Sequence, residues 1–218
     1  MIFASICASL PFDYIVRQKV GGTNFNFHYL KQMPMLSPKL FNPKIKHALS
    51  QYFPNQSILE LIIPKILELY YTAKDLSCLC NDLFLHLLEI HPSLIQACQQ
   101  QWRENQGLDQ SFDQNPQAFV DHSEAFVHHD LCILPPFKWH DLRRAHLKAQ
   151  LDVIYAKLFQ FEFSDLRFIL DPHNLLLTDQ DVHIEAFRVL KNEEIKIHQT
   201  FRTKDLIFFY WQKYFGNS

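Results

Sequence analysis

Between Trp139 and Phe159 the apolar residues Leu147, Leu151, Ile154 and Leu158 follow one another at spacings of four, three and four. Those intervals place all four on one face of an α-helix, with polar residues on the other. Such a stripe has to be buried, so the rest of the chain is read for what packs against it.

Most of what surrounds it also reads as helix. An apolar helix is predicted from about Ser5 to Arg17, interrupted early by Pro11, and a short one over 44–53. Residues 58–72 form an apolar stretch broken at Pro64, and 75–88 form another helix. A helix over 164–170 should end at Asp171-Pro172, because the residue before a proline avoids helical dihedrals. Two more helices are expected over 185–197 and 200–215, the last stopped by Gly216.

One segment has the period of a strand. After the Gly21-Gly22 turn, Phe25, Phe27 and Tyr29 alternate with Asn24, Asn26 and His28, predicting a strand near 23–31. Pro34, Pro38 and Pro43 then discourage regular structure. From His91 to Pro136 the periodicity weakens and Gln, Asn, Asp and His dominate, as in a long insertion or loop. The expected fold class is α+β, predominantly α-helical, with a small β component near the N-terminus.

Composition removes several alternatives. With 48% hydrophobic and 20% charged residues the chain is too apolar for general disorder, and its 20 phenylalanines imply packed cores. Five cysteines, an odd number without an export signal, argue against a disulfide framework and for a reducing cytoplasm. The apolar start, Ile2 to Phe12, has no basic region before it, and no run reaches the ~18 apolar residues of a membrane span. A cytoplasmic protein without a membrane partner is expected.

Charge is sorted along the chain. Residues 1–50 carry a net +5, 51–136 carry −8 and 137–218 carry +1. These limits suggest three regions: a basic first segment, an acidic helical segment with the long insertion, and a C-terminal helical region. The near-neutral total argues against coating nucleic acid wholesale, but the first segment suits one phosphate-facing patch.

The search for catalytic motifs returns negatives. There is no Gly-containing cofactor turn, no Asn-Pro-Pro-aromatic loop, no phosphate loop, no Gly-x-Ser-x-Gly elbow and no His-Glu-x-x-His. Glu194-Ile195-Lys196 matches the end of a nuclease motif, but its Pro-Asp half is missing and a solvated helix face is the simpler reading. Cys78 and Cys80 have the wrong spacing for a zinc knuckle and would point to different faces of a helix, so buried free cysteines are the better reading. His128-His129 reads as a surface pair.

Binding groups are concentrated instead in "RQKVGGTNFNF", residues 17–27. Gly21 and Gly22 permit positive dihedrals and close backbone approach. Arg17, Lys19 and Lys31 are suited to phosphates, and Thr23, Asn24 and Asn26 to base edges. A turn joining helix to strand accounts for the same residues, and the two readings can coexist. Arg143, Arg144 and Lys148 on the long helix form a second candidate surface, or simply a solvated helix face.

The stretch "LPFDYIVRQKVGGTNFNFHYLKQMPMLSP" resembles a segment of the Eco57I-type restriction-modification methylases, the type IIG adenine-specific DNA methyltransferases. Similarity continues in "LELYYTAKDL", "PPFKWHDLRRAHLKAQLDVIYAKLF", "LRFILDP" and "FRVLKNEEIKIHQTFRTKDLI", five blocks in the family's order over more than half the chain. The resemblance implies a target-recognition region that engages double-stranded DNA while a separate domain methylates adenine at N6. The family's S-adenosylmethionine turn and catalytic loop would lie N-terminal to residue 1, so the chain looks like a non-catalytic C-terminal piece, without a cofactor of its own. Phe159-Gln160-Phe161 stands where the family has a Gly-containing turn. A helical module docking on a separate methyltransferase catalytic subunit, or an inactive remnant, is the alternative.

Overall fold

The computed structural model describes residues 1–20, 25–42, 48–107, 127–128, 131–132, 134–172 and 186–216. In chain order its helices are α1 (Ile2–Cys7), α2 (Leu10–Lys19), α3 (Phe27–Leu30), α4 (Ile58–Tyr70), α5 (Ser77–Ile90), α6 (Pro92–Gln106), α7 (Asp141–Leu158), α8 (Phe163–Leu170), α9 (Arg188–His198) and α10 (Arg202–Phe215). Single 3-10 turns occur at Pro38–Phe41 and Lys74–Leu76. Among the described residues, strand pairing is confined to a two-residue antiparallel ladder, β1 (Val127–His128) with β2 (Leu131–Cys132). The chain divides into two compact units, 1–55 with 145–218 and 56–144, and the division falls inside α7.

In the first unit α7 buries Leu147, Leu151, Ile154 and Leu158, the stripe its spacing predicts. Its neighbours Asp152 and Tyr155 hold the N-terminal helices. The Asp152 carboxylate accepts the Leu10 N–H at 2.8 Å and the fully buried Tyr155 hydroxyl donates to Ser5 Oγ at 2.9 Å. Ser9, the residue before α2, donates its hydroxyl to Ile6 O at 2.7 Å instead of capping the helix. Asp152 therefore takes the place of a local N-cap, from 142 residues away. Pro11 lies in the first turn of α2, where its missing N–H is harmless; it begins a second helix rather than interrupting the first.

The remainder of that core is aromatic. Tyr210, Trp211 and Phe215 of α10 are buried, Phe163 stacks on Trp211 at 6.2 Å, and Tyr52 meets Phe215 edge-on at 4.7 Å. The start of α10 is capped by Glu194 of α9, which is buried and accepts from the Thr203 N–H at 2.7 Å and its hydroxyl at 2.6 Å. Glu194 is thus a helix cap, not part of a solvated face.

Two N-terminal expectations are corrected. The alternating segment contains α3, not a strand, because Asn26 Oδ1 accepts from the N–H groups of His28 at 3.1 Å and Tyr29 at 3.3 Å. This cap satisfies two backbone donors locally, and that outweighs the apolar alternation. Residues 21–24 lie outside the described residues. The helix expected over 44–53 is also absent where it is described, since residues 48–52 form turns and 44–47 lie outside the described residues.

The second unit starts with a reciprocal cap. Ser57 Oγ accepts the Glu60 N–H at 3.3 Å, and the Glu60 carboxylate accepts the Ser57 N–H at 2.7 Å. From there α4 continues straight through Pro64, against the predicted break. Proline inside a helix costs roughly 3 kcal/mol. Burial of Ile58, Leu61, Ile62, Ile63, Ile66 and Leu67 opposes that cost, at about 1.5–3 kcal/mol for each fully buried side chain. Lys65 Nζ also donates to the Leu61 carbonyl beside the proline, at 2.8 Å.

The larger correction is α6, which occupies 92–106 of the segment read as insertion or loop. Pro92 sits in its first turn, Gly107 ends it at φ 74°, and Leu94, Cys98, Trp102 and Asn105 are buried along one side. The part of that segment from 108 to 126 lies outside the described residues.

Candidate nucleic-acid interface

The surface around the end of α2 is built by local geometry. Arg17 makes a two-pronged contact with Asp13, one turn earlier, at 3.0 and 3.1 Å, while its guanidinium lies 5.1 Å from the Phe187 ring centroid. Lys19 Nζ donates to the Gln32 carbonyl at 3.2 Å. That contact ties the end of α2 to the residue two after α3; Gly21, Gly22, Thr23 and Asn24 lie outside the described residues. Lys31 Nζ sits 4.6 Å from the ring of Phe27, which is 68% exposed.

The structure therefore places Lys19 against the segment that bears Lys31, while Arg17, two residues earlier on α2, faces Asp13 and Phe187. All three are exposed, and their partners are weak ones. A solvent-exposed i,i+4 ion pair contributes about 0.3–0.5 kcal/mol and an exposed cation–π contact about 0.5–1 kcal/mol. Each is readily exchanged for a phosphate. Asn26 is placed differently: its oxygen is occupied by the α3 cap, leaving the amide nitrogen as the group suited to an external acceptor.

The second candidate surface is not a solvated face. Arg143 donates Nε and an Nη to both oxygens of Glu68, the latter at 3.0 Å, and reaches Glu104 at 3.3 Å. Glu68 is 1% exposed and also accepts from Gln101 Nε2 at 2.6 Å and Asn105 Nδ2 at 3.0 Å. Arg144 donates to Leu69 O at 2.9 Å and stacks over Trp139. Both arginines are committed inside the second unit. Lys148 is exposed.

Sequence reasoning missed this network because its members are scattered over three helices, α4, α6 and α7, and carry no motif. The nearest signal was the Gln- and Asn-rich side of α6, read as loop composition. Beside the network Lys65 is half-buried, and desolvation brings the pKa of its ammonium down to about 8 against the opposing charges of Glu104 and Glu68. Cys80 and Cys98 are buried, and burial pushes each thiol up to about 12. They are inert at neutral pH. Cys78 is exposed, on the other side of its helix from Cys80, so of the two only Cys80 is the buried thiol expected.

Among the described residues no group of three or more His, Cys, Asp or Glu is arranged to hold a metal ion, and no helix is long and apolar enough to cross a membrane. No family model, curated protein or solved structure matches the chain.

Proposed function

We propose that the chain is the DNA-binding, target-recognition portion of a restriction-modification adenine-N6 DNA methyltransferase. The observation that carries this reading is that Arg17, Lys19 and Lys31 are all exposed, with Lys19 held against Gln32 beside Lys31, within the segment whose sequence resembles that family. Charge agrees with it. The first unit holds 15 Lys and Arg against 11 Asp and Glu, the second 6 against 12. Duplex DNA would be engaged by the first.

In this reading Arg17, Lys19 and Lys31 neutralise phosphates, Gly21 and Gly22 shape the loop, and Thr23 and Asn24 meet base edges. Asn26 holds the loop's exit by capping α3 and offers its amide nitrogen. Methylation and S-adenosylmethionine belong to a separate domain or subunit.

A duplex-binding titration at several salt concentrations tests the proposal. Replacing both Arg17 and Lys19 by alanine should weaken binding to every sequence and flatten the log-log salt slope by roughly 0.9 for each lost contact. Unchanged affinity and slope, with the fold intact by circular dichroism, would overturn it. The alternative is a module that docks on a catalytic subunit, and exposed Val189, Ile197 and Phe209 favour it. Salt-insensitive binding to such a subunit, without DNA binding, would select that reading.

A further inference from the structure

Trp139 stands 61% exposed, yet it is fixed on two sides. Its Nε1 donates to Asp141 Oδ1 at 2.7 Å, and the Arg144 guanidinium covers one face of the ring at 3.6 Å. Arg144 is held in turn by the Leu69 carbonyl at 2.9 Å. With one face covered and most of the side chain accessible, the opposite face is open.

The backbone beneath the ring is clamped as well. Asn105, 3% exposed, accepts the Lys138 N–H at 2.8 Å and donates to the Lys138 carbonyl at 3.0 Å. The His140 ring meets the Asn105 carbonyl at 3.2 Å. Residues 138–140 are thereby locked onto α6, and the side chain of Lys138, the residue before Trp139, is exposed. An ordered aromatic plane with a cation at its back binds a flat π-system with little loss of side-chain freedom.

We propose that Trp139, backed by Arg144, is a stacking platform for an unpaired nucleobase, and that a single-stranded stretch of DNA lies over it with a phosphate near Lys138. The choice of DNA over another planar ligand rests on the function proposed above.

The protein carries its own probe. Trp102 is 9% and Trp211 is 4% exposed, so a quencher stacked on an accessible indole reports on Trp139. Titrating the full chain with a short oligothymidylate should give saturable quenching of its emission. Trp139→Ala should weaken binding between about fivefold and a hundredfold, the worth of one base–aromatic stack. Trp139→Phe, which keeps a stacking face, should lie within a few-fold of wild type and guards against a folding artefact. The Arg17→Ala, Lys19→Ala double variant should lose duplex affinity and leave oligothymidylate binding unchanged.

These arms separate the two ideas. Intact duplex binding with no quenching by oligothymidylate, or unaltered single-strand affinity in Trp139→Ala, overturns the platform alone. Absence of duplex binding alongside quenching that depends on Trp139 overturns the duplex reading alone. Emission that shifts with protein concentration but not with DNA assigns the ring to a contact between copies and also overturns the platform.

Discussion

The Asp152 carboxylate shares the attachment of the N-terminal helices with Tyr155, and its chemistry makes that attachment sensitive to pH. Burial raises the Asp152 carboxyl to about 7, while the Leu10 N–H and the Lys148 charge act in the opposite direction. Since this lies above the unfolded value of about 4, the folded chain binds the extra proton between those limits. Stability should therefore fall as pH rises from about 4 to about 7 and level off above it. Asp152→Asn keeps an oxygen for the Leu10 N–H but removes the titration. It should flatten the pH dependence and be more stable than wild type at pH 8 by on the order of 2 kcal/mol, measured by urea unfolding at both ends of the range. A variant that keeps the full wild-type pH slope would refute this role. Glu68 should behave in the opposite sense. Glu68→Ala leaves Arg143 without its buried counter-charge and should lower stability by about 3 kcal/mol, read from the denaturant midpoint.

Helix ends explain which elements were legible and which were hidden. The stripe on α7 and the stops at Asp171-Pro172 and after Phe215 are strong local signals, and those helices lie within a few residues of their expected limits. Where a cap competes with a period, the cap wins: Asn26 turns an alternating segment into α3, and the apolar alternation alone cannot reveal it. The helix α6 was hidden for another reason. Its buried side is only Leu94, Cys98, Trp102 and Asn105, too thin a stripe to stand out from eleven mostly polar neighbours, although Pro92 and Gly107 mark both its ends. The surface near Arg17 was legible as residue types, and Asp13 and Phe27 lie only four residues before Arg17 and Lys31, but the contacts with Gln32 and Phe187 were not legible because they come from farther along the chain. After α7 the chain turns at Gln160 with φ 65°, and the Phe161 and Gln160 N–H groups return to the carbonyls of Ala156 at 2.9 Å and Lys157 at 3.1 Å. This is the Schellman arrangement, in which a glycine is the unstrained residue. Gln160→Gly should raise stability by up to about 1 kcal/mol, the steric cost of a left-handed side chain less the added entropy of the unfolded glycine. A lower thermal midpoint in that variant would contradict the assignment.

Over the whole chain, opposite charge is sorted between units that each have their own core, so nucleic acid should mark them unequally. The excess of Lys and Arg lies in the unit of 1–55 with 145–218, which carries Lys19 and Lys31, while the unit of 56–144 is acidic and carries Lys74 and Lys138. Long-range attraction brings a phosphate backbone toward the basic unit and is screened within about 10 Å at 0.1 M salt. Lysine acetylation followed by peptide mass mapping turns this into a residue-level readout. With duplex DNA, Lys19 and Lys31 should be protected and Lys74 should not. With oligothymidylate, Lys138 should become protected, because a base seated on Trp139 puts its phosphate beside that side chain. Raising the salt should erase the duplex pattern first, since several phosphate contacts release counterions there, whereas a stacked base retains its non-ionic share of the binding. Equal protection of Lys19, Lys31 and Lys74 by duplex DNA would mean that the charge sorting has no part in recognition.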